Sequence, residues 1–388
     1  MASFSNKNHT NLPALNLLSC LPYVTSFSLK DAHIEMLIFN LSQLRNAQAL
    51  NLIVKSDNML QLSYMKNLDE LKYLKLKVKL CSKKAEKEFF EVFTLPYSLV
   101  SIDFTIEGNM WENCKLTKKN REKINDSIQR EKHFYSQWRG LKDIKHFKLR
   151  VHNWWLAHSE VDRNFVMNII RHIKGLESCI FTQSRDQYQG STLELRELLE
   201  ALKGSRNTLK ILKISASSMN FVEDCSPQSL ELPKLKEFSL KGCVLSSPNT
   251  AQFLNNLSVK NGQSIRINWE NLEITNLKTF EVILRSITSL PKTVELHLTL
   301  DIYDLTKENW LESLRQAIIK MKFEGKVGLI LLTKSDLSGK DVLKDIRVAA
   351  SANPRFENFF IKSRFDRMVY HIWSGWCSEL SQVLGEDF

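Results

Sequence analysis

The chain has 388 residues and carries 54 Lys and Arg against 43 Asp and Glu, a formal net charge of +11. Its 43% hydrophobic and 25% charged residues are those of a folded protein with ample core material, which excludes wholesale disorder. With 12 Gly and 8 Pro, long flexible linkers are not expected either.

No apolar run approaches the roughly 20 residues of a membrane helix, and the first twenty residues lack the pattern of a signal or transit peptide. A cytoplasmic protein is therefore expected, with the nucleus as the other compartment. The seven cysteines are odd in number, widely spaced and without a C-x-x-C pair, so reduced, buried thiols are expected rather than disulfides or zinc.

Along the chain a short apolar strand of the form L-x-x-L-x-L alternates with an amphipathic helix. The first copy runs over Val24, Phe27 and Leu29, and a helix over 32–46 follows, with Ile34, Leu37, Ile38, Leu41 and Leu44 on one face. Leu50 and Leu52 mark the next strand. The clearest copies come after it, at Leu71, Leu74 and Leu76 and at Leu99, Ile102 and Phe104.

A polar helical insertion at about 108–140 interrupts the period. Strands resume at Ile144, Phe147 and Leu149, at Leu176, Cys179 and Phe181, at Leu209, Leu212 and Ile214, and at Leu235, Phe238 and Leu240. The segments 265–267, 296–298 and 329–331 complete the series. Helices are expected over 160–173, 192–202, 276–287 and 310–321. Leu-Pro pairs at Leu21, Leu95, Leu232 and Leu290 precede strands, where proline ends a helix and extends the chain. Counted from Leu71, Leu99, Leu141, Leu176, Leu209 and Leu235, the units step by 28, 42, 35, 33 and 26 residues.

Units of this length hold one strand, one helix and two turns, and stack with parallel strands on one side. These residues resemble the leucine-rich-repeat family, most nearly its ribonuclease-inhibitor-type branch, over about residues 15–350. The resemblance implies an α/β solenoid, an arc or horseshoe with strands on the concave side and helices on the convex side, that binds a partner on its sheet. The family's strand motif continues to an Asn or Cys three residues after the last leucine. Only Cys243 stands there; Ala32, Lys55, Lys79 and Glu107 occupy the equivalent places elsewhere, which implies a shallow, uneven arc. Two regions follow: a solenoid over 1–350 and an aromatic-rich C-terminal cap over 351–388.

Side chains alternate along a strand. With the leucines inward, the outward positions include Lys30, Lys75, Lys77, Lys148, Arg150, Lys213, Lys241 and Arg266, against Asp103 alone. That one-sided charge suits a protein partner with an acidic surface, bound by a non-enzymatic scaffold or adaptor in a larger complex. The alternative is RNA. Residues 115–150 hold 12 Lys or Arg against 4 Asp or Glu. Within them Lys118, Lys119, Arg121, Arg130 and Lys132, with Tyr135 and Trp138, supply phosphate contacts and stacking rings. Packing of those rings on the repeat beneath is the blander account.

Catalytic signatures are missing from the sequence. Thr333, Lys334 and Asp336 resemble the guanine-reading segment of GTPases, but no phosphate loop accompanies them. The histidines show no metal-ligand spacing, and no nucleophile elbow occurs. Neither an enzyme, nor a cofactor, nor a metal, nor a small-molecule substrate is expected.

Overall fold

In the computed structural model, the residues described are 2–5, 25–32, 44–55, 60–80, 89–108, 141–152, 167–183, 195–216, 232–245, 265–288, 294–302, 309–320, 326–334, 342–351, 356–363 and 369–374, a few positions within these ranges excepted. The chain is α/β and divides into two compact units. The first comprises Met1–Thr192 with Glu200–Leu209, and the second Leu193–Leu199 with Lys210–Phe388.

The first unit holds strands β1 (Ala2–Ser5), β2 (Ser26–Ala32), β3 (Ala49–Lys55), β4 (Tyr73–Leu80), β5 (Ser101–Gly108), β6 (His146–His152) and β7 (Ser178–Gln183). They lie side by side in chain order, each parallel to the next. Parallel neighbours require a crossover after every strand. Helical residues 167–172 lie in the crossover before β7, and a 3-10 helix over Leu60–Asn67 in the one between β3 and β4. Gly175 adopts φ +80 in the turn that leads to Leu176, a conformation that favours a residue without Cβ.

The leucine positions form the core. Leu50, Leu74, Ile102, Phe147 and Cys179 make one buried row across β3–β7, and Leu52, Leu76, Phe104, Leu149 and Phe181 make the next. Val54, Val78, Ile106 and Val151 extend it by a third. The strands therefore run on through the place where the repeat family turns. Lys55, Lys79, Glu107 and His152 are paired ladder neighbours there, so an Asn bonding a turn would have no turn to bond. Beneath β5, Phe89 and Phe93 stack on Phe104 with ring centroids 6.0 and 5.8 Å away.

Each unit of the repeat is hydrogen-bonded to the next in the same way. The Gln48 carbonyl accepts from the N–H groups of Lys72 and Tyr73, that of Lys72 from Val100 and Ser101, that of Val100 from Lys145 and His146, and that of Lys145 from Glu177 and Ser178. This relay makes Ile144, not Leu141, the residue equivalent to Leu71, Leu99 and Leu176, which corrects the expected steps. Hydroxyls add a second link. Ser98 Oγ donates to the Leu71 carbonyl and Thr208 Oγ1 to the Leu176 carbonyl, both at 2.8 Å.

The second unit contains β8 (Ile211–Ala216), β9 (Glu237–Lys241), β10 (Val244–Leu245), β11 (Ile265–Ile274), β12 (Val294–Ile302), β13 (Lys326–Thr333), β14 (Phe356–Ser363) and β15 (Val369–Ser374). Its order is β8-β9-β11-β12-β13-β14-β15, with β10 paired to β11 off that path. All pairs are parallel except β14 with β15. Within each unit the strand order does not close into a barrel.

Helix α1 (Leu195–Ala201) lies at the division of the units, and α2 (Leu277–Thr288), α3 (Trp310–Lys320) and α4 (Val342–Ser351) connect the later strands. The helices α2, α3 and α4 pack in sequence, Phe280 against Trp310 at 5.2 Å. Leu296, Leu298 and Leu300 of β12 and Leu329 and Leu331 of β13 are all buried.

The expected helix over 32–46 begins too early, since Ala32 ends β2 in register with Val54; most of that helix lies outside the described residues. So does the basic insertion. The C-terminal segment set apart as a cap starts with β14, which continues the parallel ladder from β13, before β15 reverses it. Among the described residues no helix is long and apolar enough to cross a membrane.

Candidate binding face

The strand alternation that buries the leucines leaves a polar row on the other face. In the first unit Ser28, Asn51, Lys75, Asp103, Lys148 and Ile180 are ladder neighbours. Ile53, Lys77, Thr105, Arg150 and Thr182 form the next row. Four of the predicted side chains, Lys75, Lys77, Lys148 and Arg150, are thus brought together on β4 and β6. Lys30 lies at an irregularity in the β2–β3 register, between Leu29 and Ala32, and joins neither row.

The face is not a bare cationic wall. Lys77 pairs with Glu107 at 2.6 Å, and Lys148 and Arg150 both approach Asp103 Oδ2, at 3.8 and 3.5 Å. Glu107 occupies the third outward position of its strand, two residues beyond Thr105. Strand alternation continued by two residues would have found it. Basic residues still prevail: Lys75, Lys77, Lys79, Lys148 and Arg150 occupy outward positions on β4–β6 against Asp103 and Glu107. Lys75 and Tyr73 are exposed, two residues apart on β4.

The second unit differs. Lys213 sits in a row with Ser239, Asn268 and His297, but Arg266 falls one row lower, between Glu237 and Glu295. Ser239 therefore stands beside Asn268 and not beside Arg266. Ile330 likewise stands opposite Thr299 rather than His297. Carboxylates match the cations here. Lys213 meets Glu237 at 2.8 Å and Arg266 meets Glu295 at 3.2 Å, while Lys241 is the ladder partner of Glu270.

Glu295 meets two nitrogen-bearing side chains, His297 and Arg266. His297 Nε2 lies 2.9 Å from Oε1, and the Arg266 Nε and Nη2 groups donate to Oε2 at 3.2 Å. Partial burial alone pushes this carboxyl up, but the bonds from His297 and Arg266 outweigh it and leave the group below its ordinary value. Gly328 stands opposite His297, and a Cβ there would lie 2.8 Å from Nδ1, so the imidazole needs a glycine beside it.

The insertion residues Lys118, Lys119, Arg121, Arg130, Lys132, Tyr135 and Trp138 lie outside the described residues. Thr333 ends β13, and Asp336 lies outside them as well. Among the described residues no group of three or more His, Cys, Asp or Glu is placed to hold a metal ion. No protein-family model matches the chain, and a search of curated proteins finds no match.

Proposed function

We infer that the protein is a non-enzymatic binding scaffold of leucine-rich-repeat type, with its strands on a concave side, and that it holds an acidic protein partner on the outward face of β3–β6. It would serve as an adaptor or subunit of a larger complex. One observation carries the reading: on those four strands lysines and arginines outnumber carboxylates in adjoining ladder rows, whereas the second unit's face balances them. Exposed ion pairs each contribute only about 0.2–1 kcal/mol. The paired cations therefore stay open to exchange with a partner's carboxylates.

The test measures binding of a labelled oligoglutamate peptide at low salt by fluorescence anisotropy. Replacing Lys75, Lys77, Lys148 and Arg150 together by Gln is expected to weaken it about tenfold or more, the sum of several exposed contacts. Gln is preferred to Glu because reversal at Lys148 and Arg150 would crowd carboxylates around Asp103. Unchanged affinity in a folded variant refutes the reading. RNA is the second reading, favoured by exposed Tyr73 beside Lys75, a ring on which a base can stack. Tighter binding of single-stranded RNA than of oligoglutamate, lost in Tyr73→Ala, selects it.

A further inference from the structure

Asp103 stands in the middle of the basic face, with Lys75 of β4 on one side and Lys148 of β6 on the other. Only its Oδ2 atom meets cations. The Lys148 and Arg150 nitrogens lie 3.8 and 3.5 Å from it, well beyond the roughly 2.7–2.9 Å of a charge-assisted hydrogen bond. Oδ1 is buried and has no hydrogen-bond partner. The neighbouring pairs are closer: Lys77 lies 2.6 Å from Glu107, and in the second unit Lys213 lies 2.8 Å from Glu237.

Two cations thus share one carboxylate, which offsets only half of their charge, and their hydrogen-bonding capacity goes largely unused. A guanidinium presents five N–H donors in a planar fork, and an ammonium presents three. A carboxylate arriving from solvent can meet that fork in its own plane. Asp103 is held by its short side chain to the strand between the two cationic ones, and does not reach that position.

We propose that Asp103 is a built-in competitor, holding Lys148 and Arg150 in place of a carboxylate from an acidic peptide partner, which binds by displacing it. This rests on the reading of β3–β6 as an acidic-partner face and adds how that face is kept weak. Lys75, on the far side of Asp103 and in no ion pair among the described residues, would take a second carboxylate of the same peptide.

The experiment compares binding of the oligoglutamate peptide by the full chain and by Asp103→Asn, Asp103→Ser and Glu70→Gln. Two substitutions at Asp103 keep the comparison valid if one disturbs β5, and circular dichroism verifies the fold. Glu70 is exposed and away from the face rows, so its variant changes net charge equally. The Asp103 variants are expected to bind about fivefold tighter, the size of one exposed ion pair, with Glu70→Gln unchanged. No gain at Asp103, while the fourfold Gln variant still weakens binding, overturns the competitor and leaves the binding face standing. An equal gain in Glu70→Gln also overturns it, since bulk charge then suffices. A gain toward single-stranded RNA alone does so too, because the displaced group would then answer to phosphate. Absence of binding by every form overturns both.

Discussion

Cys179 illustrates how one burial decides a residue's chemistry. It takes a leucine's place in the second position of its strand motif, beside Phe147 in the same buried row, and its side chain is fully enclosed. Burial pushes the thiol up to about 12 from an ordinary value of 9.0, because a thiolate there would be desolvated without a partner. In the unfolded chain the thiol ionises near its ordinary value, so the unfolded state loses the proton first. Stability from the neutral thiol is complete below about pH 9 and is lost as pH rises toward 12. At neutral pH Cys179 is expected to resist iodoacetamide in the native protein and to react in denaturant, as mapped by mass spectrometry. Labelling of the native protein at this site would contradict the assigned packing.

At the scale of the element, hydrogen bonds outside the strand ladders also tie one strand motif to the next. The backbone relay through Gln48, Lys72, Val100 and Lys145 does part of this, and side-chain hydroxyls do the rest. Ser98 and Thr208 each precede the first leucine of their own strand motif and donate to the carbonyl of the first leucine one unit earlier. Serine and threonine suit this position because a short hydroxyl reaches a neighbouring carbonyl without disturbing the extended backbone. Ser98→Ala and Thr208→Ala are each expected to lower unfolding stability by about 1 kcal/mol, the net worth of one hydrogen bond. Urea denaturation measures this, and Thr208→Val serves as a shape-conserving check. A midpoint identical to the wild type in both variants would remove the hydroxyls from the account.

For the whole molecule, the net charge of +11 is unevenly used. The second unit's sheet face pairs Lys213 with Glu237 and Arg266 with Glu295, while the first unit's face keeps an excess. Long-range attraction toward an acidic partner would then come chiefly from β3–β6. Binding of oligoglutamate is expected to fall steadily as salt rises, and to be nearly lost near 1 M, where the screening length is about 3 Å. Isothermal titration across a salt series tests this. Affinity that holds or grows with salt would point to apolar contacts instead.

The sequence by itself determined the positions of β2–β9 and β11–β13, the buried leucine rows and the parallel α/β class, but not β1, β10, β14 or β15. It could do so because a period of two within strands and of 3.6 within helices is a local property of residue order. It also named Lys75, Lys77, Lys148 and Arg150, whose ladder rows follow from the same alternation. Only tertiary structure decided the register between units in the second half: that Arg266 falls beside Glu237 and Glu295 rather than beside Ser239. Register depends on crossover lengths that vary from unit to unit, and no local pattern encodes them. Charge balance follows register, because a carboxylate neutralises a lysine only when the strands bring the two within a few ångströms of each other.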